Sequence, residues 1–157
     1  MKKAFSLLEL IFVMLVISII VGISLPYFTN FKDDAKLLRL KADFTNIQSA
    51  LAYAENERII KNINQKIHIL DDALINLENE KLFYCSSKSI NSCTNSTNCC
   101  FISLLSQPIY SSKKAWIKIS STKYRFFLNP KKYIDFEYDP NNTSFNCLDK
   151  DLCKELL

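Results

Sequence analysis

The sequence predicts an α+β chain, one long N-terminal helix followed by a small antiparallel sheet. Three observations predict it. An uninterrupted apolar run occupies residues 5–25. Beyond Pro26, apolar residues recur three and four positions apart at Leu37, Leu40, Phe44, Ile47, Leu51 and Ala54, the spacing of one helix face. From Ala115 the period becomes two, with turn residues between short segments, as in consecutive antiparallel strands.

The apolar run holds 21 residues, and Glu9 is its only charge. That length suffices to cross a bilayer as a helix. Lys2 and Lys3 precede it, which predicts a cytoplasmic N-terminus with the rest of the chain on the other side. A carboxylate in such a run is costly, by roughly 2.5–3.5 kcal/mol at the bilayer centre, and marks a functional site by default. The bland alternative is an acid that snorkels to the headgroups. A cleaved secretory signal fits poorly, because Glu9 interrupts its core and Ile23-Ser24-Leu25 is a poor cleavage site. A plain signal anchor gives no reason for Glu9.

Pro26 removes one helix hydrogen bond and predicts a kink rather than an end. Lys36, Arg39, Lys41, Asp43, Glu55 and Glu57 stay off the apolar stripe that follows. The stripe is too short for a coiled-coil seam, so it is expected to pack on the chain's own head. A helix over residues 5–58 would be roughly 80 Å long, half in the membrane and half buttressing that head.

Residues 62–66 read as a loop. Residues 71–78 read as a short helix with acids in its first turn. His68 is the only histidine and is expected at the surface. Residues 101–105 read as a further short helix or strand. Strands are expected at 116–120, 124–128, 133–138 and 144–148. Asn129-Pro130-Lys131 and Asp139-Pro140-Asn141-Asn142 provide turns. One sheet face is expected to carry Ile117, Ile119, Tyr124, Phe126, Ile134 and Phe136 and to pack on the helix stripe. Trp116, Lys118, Lys123 and Arg125 then point elsewhere.

All six cysteines lie in the second half: Cys85, Cys93, Cys99, Cys100, Cys147 and Cys153. An even number beyond a membrane segment points to disulfides in an oxidising compartment. The spacings within 85–100 are not those of zinc ligands, and two disulfides are expected there. Adjacent Cys99 and Cys100 then take different partners. A bond between Cys147 and Cys153 would tie down the C-terminal tail, for about 2–3 kcal/mol.

The formal charge is +4, unevenly distributed. Between Lys81 and Ile134 there is no Asp or Glu, against nine Lys or Arg. Three readings stay open: a polyanion partner, complementarity between subunits, or a solvated lysine face. Lys113, Lys114, Lys131 and Lys132 are the candidate contacts to DNA. Aromatics beside such lysines could also stack single-stranded bases, against the simpler reading of surface aromatics.

No Ser-His-Asp or Cys-His arrangement is evident. No phosphate-cradling loop is either, since Gly22 is the only glycine, and no metal signature stands out. The expectation is a protein that is no enzyme and takes no cofactor.

Lys2-Lys3-Ala4-Phe5-Ser6-Leu7-Leu8-Glu9-Leu10-Ile11, then an apolar helix and Pro26, resembles the N-terminus of the type IV pilin and type II secretion pseudopilin superfamily. The resemblance covers about the first 30 residues. It implies a leader of residues 1–4, with a prepilin peptidase cutting between Ala4 and Phe5 and N-methylation of Phe5. Glu9 would be the signature acid, pairing with the N-terminal ammonium of a neighbouring subunit, and Pro26 the kink proline. Ala4 departs from the Gly usual before the cut. The implied organisation is a transmembrane and polymerisation helix at 5–26, its amphipathic continuation at 27–60, and a periplasmic disulfide-bearing head at 61–157. The Cys147–Cys153 region resembles the disulfide-bounded C-terminal region of many pilins.

The implied location is the inner membrane, single pass, with the N-terminus cytoplasmic and the head periplasmic, or outside the cell in a filament. The implied partners are homologous pilin or pseudopilin subunits, the prepilin peptidase and an inner-membrane assembly platform. Three systems share this start: type II secretion, DNA uptake and type IV pili. The basic block tilts toward DNA uptake. The rival of another class is a membrane-anchored periplasmic binding or enzyme domain that never polymerises.

Overall fold

The computed structural model describes residues 7–86, 100 and 102–154, apart from the side chains of residues 24–33 and 150. The chain divides into two compact units, Met1–Lys36 and Leu37–Leu157. Helix α1 (Leu7–Ile60, 54 residues) begins in the first unit and ends in the second.

Over residues 10–23 α1 carries no charge and is exposed all round. Leu7, Leu8, Phe12, Met14, Ile20 and Ile23 are each more than half exposed. Pro26 does not end the helix. The expected kink there falls among residues whose side chains lie outside those described. Among the described residues no helix is long and apolar enough to cross a membrane. The run expected to do so, residues 5–25, is described with its side chains only from residue 7 to residue 23.

In the second unit α1 carries the expected buried stripe. Leu40, Phe44, Ile47, Leu51 and Ala54 are buried, with Leu37 partly so. Each fully buried Leu, Ile or Phe contributes roughly 1.5–3 kcal/mol. The helix stops just past Ile60, where Asn62 adopts φ 52°. The Asn62 and Ile63 N–H groups donate to Ile59 and Arg58 carbonyls, satisfying acceptors that a helix end leaves open. The Arg58 guanidinium also donates to the Ile63 carbonyl at 2.8 Å.

Two antiparallel sheets follow. β1 (Lys81–Leu82) pairs with β2 (Ile109–Tyr110). β3 (Trp116–Lys118), β4 (Lys123–Asn129), β5 (Lys132–Asp139) and β6 (Ser144–Cys147) form a meander in that order. A register shift in the β4–β5 pairing falls between Phe127 and Asn129. The inner face of the meander packs on the helix stripe around an aromatic cluster. Phe44 meets Phe136 at 5.6 Å, Phe136 stacks on Phe145 at 5.5 Å, and Trp116 meets Phe126 edge-on at 5.2 Å.

Three expectations need correction. In β3 the faces are reversed. Trp116 lies opposite Phe126 and Lys118 opposite Tyr124, so Trp116 and Lys118 point inward, while Ile117 lies opposite Arg125 on the outer face. The physical reason is size and pairing. The indole fills more of the core than isoleucine, and its N–H is met by Asp43 Oδ2 at 3.0 Å. The Lys118 charge is met by Asp71. Ile117 is nevertheless buried, and Lys123 and Arg125 face outward as expected.

Residues 71–78 form no helix. The Asp71 carboxylate accepts from the Ala73 and Phe83 N–H groups, and Asn76 and Asn79 take φ 59° and 63°, a left-handed conformation that asparagine tolerates. Residues 102–105 are neither helix nor strand, and Leu105 N–H donates to the Phe83 carbonyl at 3.1 Å; Phe101 lies outside the described residues. The C-terminal loop contains a short helix, α2 (Lys150–Cys153), capped by the Asp149 carboxylate.

Two disulfides are described. Cys85 bonds Cys100 with Cα atoms 5.5 Å apart, and Cys147 bonds Cys153 at 5.9 Å. Cys93 and Cys99 lie outside the described residues.

Candidate assembly surface

The residues singled out at the start of the chain fall in two groups. Ala4 and Phe5 lie outside the described residues. Glu9 stands exposed in the first turn of α1, amid exposed Leu7, Leu8, Leu10, Phe12 and Val13. A helix that is apolar all round is stable when something apolar covers it, either protein or bilayer. A carboxylate among those side chains needs a cation or a proton once they are covered.

In the second unit the helix presents a further surface away from its buried stripe. Leu38, Ala42, Thr45, Ser49, Tyr53 and Ile60 are exposed and carry no charge. Leu38, Tyr53 and Ile60 are exposed by 70%, 70% and 82%. The charges lie off this row: Arg39 reaches Asp43 at 3.7 Å, Arg58 binds Glu55 at 2.6 Å, and Lys61 binds Glu57. The Arg58 hydrogen bond holds the Glu55 carboxyl below the usual carboxylate range.

The basic block resolves into spent and unspent cations. Lys118 is buried on Asp71, Arg125 binds Asp135 at 2.7 Å, and Lys123 reaches Glu137 at 3.5 Å. Lys88 lies outside the described residues. Lys113, Lys114, Lys131 and Lys132 are exposed. The sheet register brings these four to one end. Lys113 and Lys114 precede β3, where Phe127 N–H donates to the Ala115 carbonyl at 2.9 Å, while Lys131 lies in the turn after β4 and Lys132 opens β5. Beside that turn the Arg125 guanidinium lies 3.8 Å over the Tyr133 ring.

One polar cluster has no counterpart in the sequence reading. Asp71, fully buried, binds Lys118 Nζ at 2.7 Å through Oδ1. Its Oδ2 accepts from the Phe83 N–H at 2.9 Å and the Tyr124 hydroxyl at 2.8 Å. Lys118 Nζ also donates to the carbonyls of Asp71 and Ala73. Burial, with the Asp71 charge beside it, pushes the Tyr124 hydroxyl well above the usual tyrosine range. The available signal was the lysine itself, two positions from Trp116 in a strand where alternate residues share a face. Every donor and acceptor in the cluster is occupied, so it acts as a brace between the loop and the sheet.

Among the described residues no three His, Cys, Asp or Glu side chains gather so as to hold a metal ion. His68 is half-buried. No protein-family model, curated protein or solved structure matches the chain.

Proposed function

We propose that the chain is a pilin-like subunit, a pseudopilin or minor pilin, that assembles through its N-terminal helix into a filament for type II secretion or DNA uptake. The observation that carries this reading is the exposed apolar surface of residues 7–23, where Glu9 is the one charge, with Lys2-Lys3-Ala4-Phe5-Ser6 before it. The run lies in the inner membrane before assembly and in the filament core after it. The N-terminus is cytoplasmic and the disulfide-bearing head periplasmic. The chain is a substrate of prepilin peptidase and is itself no enzyme.

Cleavage between Ala4 and Phe5 frees an ammonium on Phe5. In a stack of staggered helices that ammonium meets the Glu9 carboxylate of a neighbour. An isolated carboxylate in an apolar medium is expensive and a paired one much less so. The pair therefore favours one stagger over the others. The charge-free row from Leu38 to Ile60 supports the same reading, because a solvated helix face would carry charges.

N-terminal mass spectrometry tests the reading. The expected chain begins at N-methyl-Phe5. An intact Met1 leaves an anchored, non-polymerising periplasmic domain instead, cleavage beyond Leu25 leaves a domain released from its anchor, and either result refutes the reading. Glu9→Leu is expected to insert normally yet lose incorporation when competing with the unaltered chain; equal incorporation removes the registration role.

A second reading, contact with DNA, is favoured by the four unspent lysines at one end of the sheet. Binding should weaken steeply with salt, and neutralising Lys113, Lys114, Lys131 and Lys132 should flatten that dependence. Undiminished DNA retention by the neutralised chain refutes it. A type IV pilus subunit, with its head outside the cell, is the alternative within the same class.

A further inference from the structure

We infer that the head also docks onto a second copy of itself, the basic β4–β5 turn of one copy seating in an apolar, acid-bearing groove of the next. The inference rests on the polymer reading and adds to it a contact between heads.

The groove has a volume of about 700 Å³ and is lined by Leu74, Ile75 and Leu77 together with Asp72 and the Asp71–Lys118 pair. The three aliphatic side chains are exposed by 61%, 52% and 48%, an unusual concentration on one short loop. The buried pair cancels its own charge. The net charge of the lining is then that of Asp72, with Glu80 close by, whose Oε2 accepts from the Leu74 N–H at 3.1 Å.

The occupant follows from charge and topology. Lys118, at the end of β3, and Ser121, in the β3–β4 connection, both line the groove. The groove therefore lies at the end of the sheet where β4 begins. β4 runs from there to Asn129, so the turn carrying Lys131 and Lys132 stands at the opposite end. That turn offers two exposed cations beside Tyr133, a residue 44% exposed with its ring held under Arg125. A rigid aromatic flanked by lysines suits an aliphatic groove with carboxylates beside it.

Complementary patches at opposite ends of one domain make a head-to-tail contact, which repeats along a line instead of closing. Copies anchored in one membrane share one orientation. For them this is the contact that lets each head meet the next without turning over. It also gives the two lysines of the β4–β5 turn a use.

The test uses the full chain in the membrane that processes it, with two differently isotope-labelled copies and a benzophenone amino acid in place of Ile75. The expected product is a mixed-isotope cross-link from position 75 to residues 130–133. Lys131→Glu with Lys132→Glu should lower its yield about tenfold, since like charges then meet, and Asp72→Lys in the groove copy should recover it. A cross-link confined to one copy, mapped elsewhere, or indifferent to these charges overturns the inference. So does salt-sensitive DNA binding through the same lysines with no cross-link at all. A benzophenone in place of Val13 separates the two failures. If Val13 cross-links between copies and Ile75 does not, the polymer stands and this contact falls. If neither does, and Met1 is intact, the polymer reading falls with it.

Discussion

Lys118 Nζ lies 2.7 Å from Asp71 Oδ1, and the two side chains are only 5% and 0% exposed. Burying two charges costs several kcal/mol unless their remaining bonds are made. Here they are made on both sides. The ammonium has two carbonyls besides the carboxylate, and the carboxylate has the Tyr124 hydroxyl and two backbone N–H groups. One of those N–H groups belongs to Phe83, which sits at φ 57° in the centre of the aromatic cluster. A bulky residue rarely adopts that conformation. The pair thus fixes a strained backbone as well as a charge.

The two partners should not be equivalent. Asp71→Ala strands the ammonium and takes the acceptor from three donors, so it should cost about 3–5 kcal/mol. Lys118→Met leaves the carboxylate three donors and should cost less, roughly 1.5–3 kcal/mol. Urea unfolding of the full chain in detergent, followed through Trp116 fluorescence, measures both. Equal losses would show that Asp71 has no role beyond the ion pair.

The bond from Trp116 Nε1 to Asp43 Oδ2, 3.0 Å long, links β3 to the helix. Asp43→Ala leaves the indole N–H without its acceptor and should cost about 1–3 kcal/mol. Asp43→Asn keeps an acceptor in place and should recover most of that loss. Recovery separates the hydrogen bond from the Arg39 pair at 3.7 Å, which asparagine cannot replace as a charge. Failure of Asp43→Asn to recover would shift the weight to Arg39.

Long, repetitive elements were legible in the sequence. The helix stripe declares itself through five successive steps of three and four, and β4 and β5 through sustained alternation. β3 has three residues, too few for alternation to choose between Ile117-x-Ile119 and Trp116-x-Lys118. Lys118 biased that choice, because its counter-ion Asp71 is 47 residues away in sequence. Asp71 and Asp72 resembled a helix start, yet one of them points into the core, and Asn76 and Asn79 held the contrary signal. β1 and β2 are two residues each and leave no periodic trace. Of the candidate surface, the motif around Phe5 and Glu9 is visible in the sequence alone. The gathering of four lysines at one end needs the β3–β4–β5 register.

Alkaline pH should test the burial of Tyr124. Its hydroxyl titrates above the usual range in the fold, first because it is buried and then because Asp71 is beside it. In the unfolded chain it titrates near the ordinary value, about 10. The stability contributed is therefore full below pH ~10 and is lost as pH rises from there toward the folded pKa, because the unfolded chain ionises first. The loss should approach about 1.4 kcal/mol per pH unit for this group. Tyr124→Phe removes it, so its stability should decline less steeply between pH ~10 and ~11.5 than that of the unaltered chain. Parallel declines would mean that the hydroxyl reaches water.

The two disulfides among the described residues should differ in worth according to the chain they close. Cys85 and Cys100 are 15 positions apart, and Cys147 and Cys153 are 6 apart. A longer closed loop restricts the unfolded chain more, by chain entropy about 3 kcal/mol for the first and about 2 kcal/mol for the second. Replacing both cysteines of a pair by alanine avoids leaving a free thiol, and the urea midpoint reads the loss. The first pair has a further reason to cost more. Cys85 and Cys100 pack with Ile69 in a small buried cluster of their own, so their removal also loosens the segment leading into Asp71. Cys147 and Cys153 instead hold α2 against β6, where the Asp149 cap and the Leu148 N–H bond to the Asp135 carbonyl remain after the sulfurs are gone. The expected order is a larger midpoint drop for Cys85→Ala with Cys100→Ala than for Cys147→Ala with Cys153→Ala. The reverse order would place the tail, rather than the loop before Asp71, as the segment on which the head's stability depends.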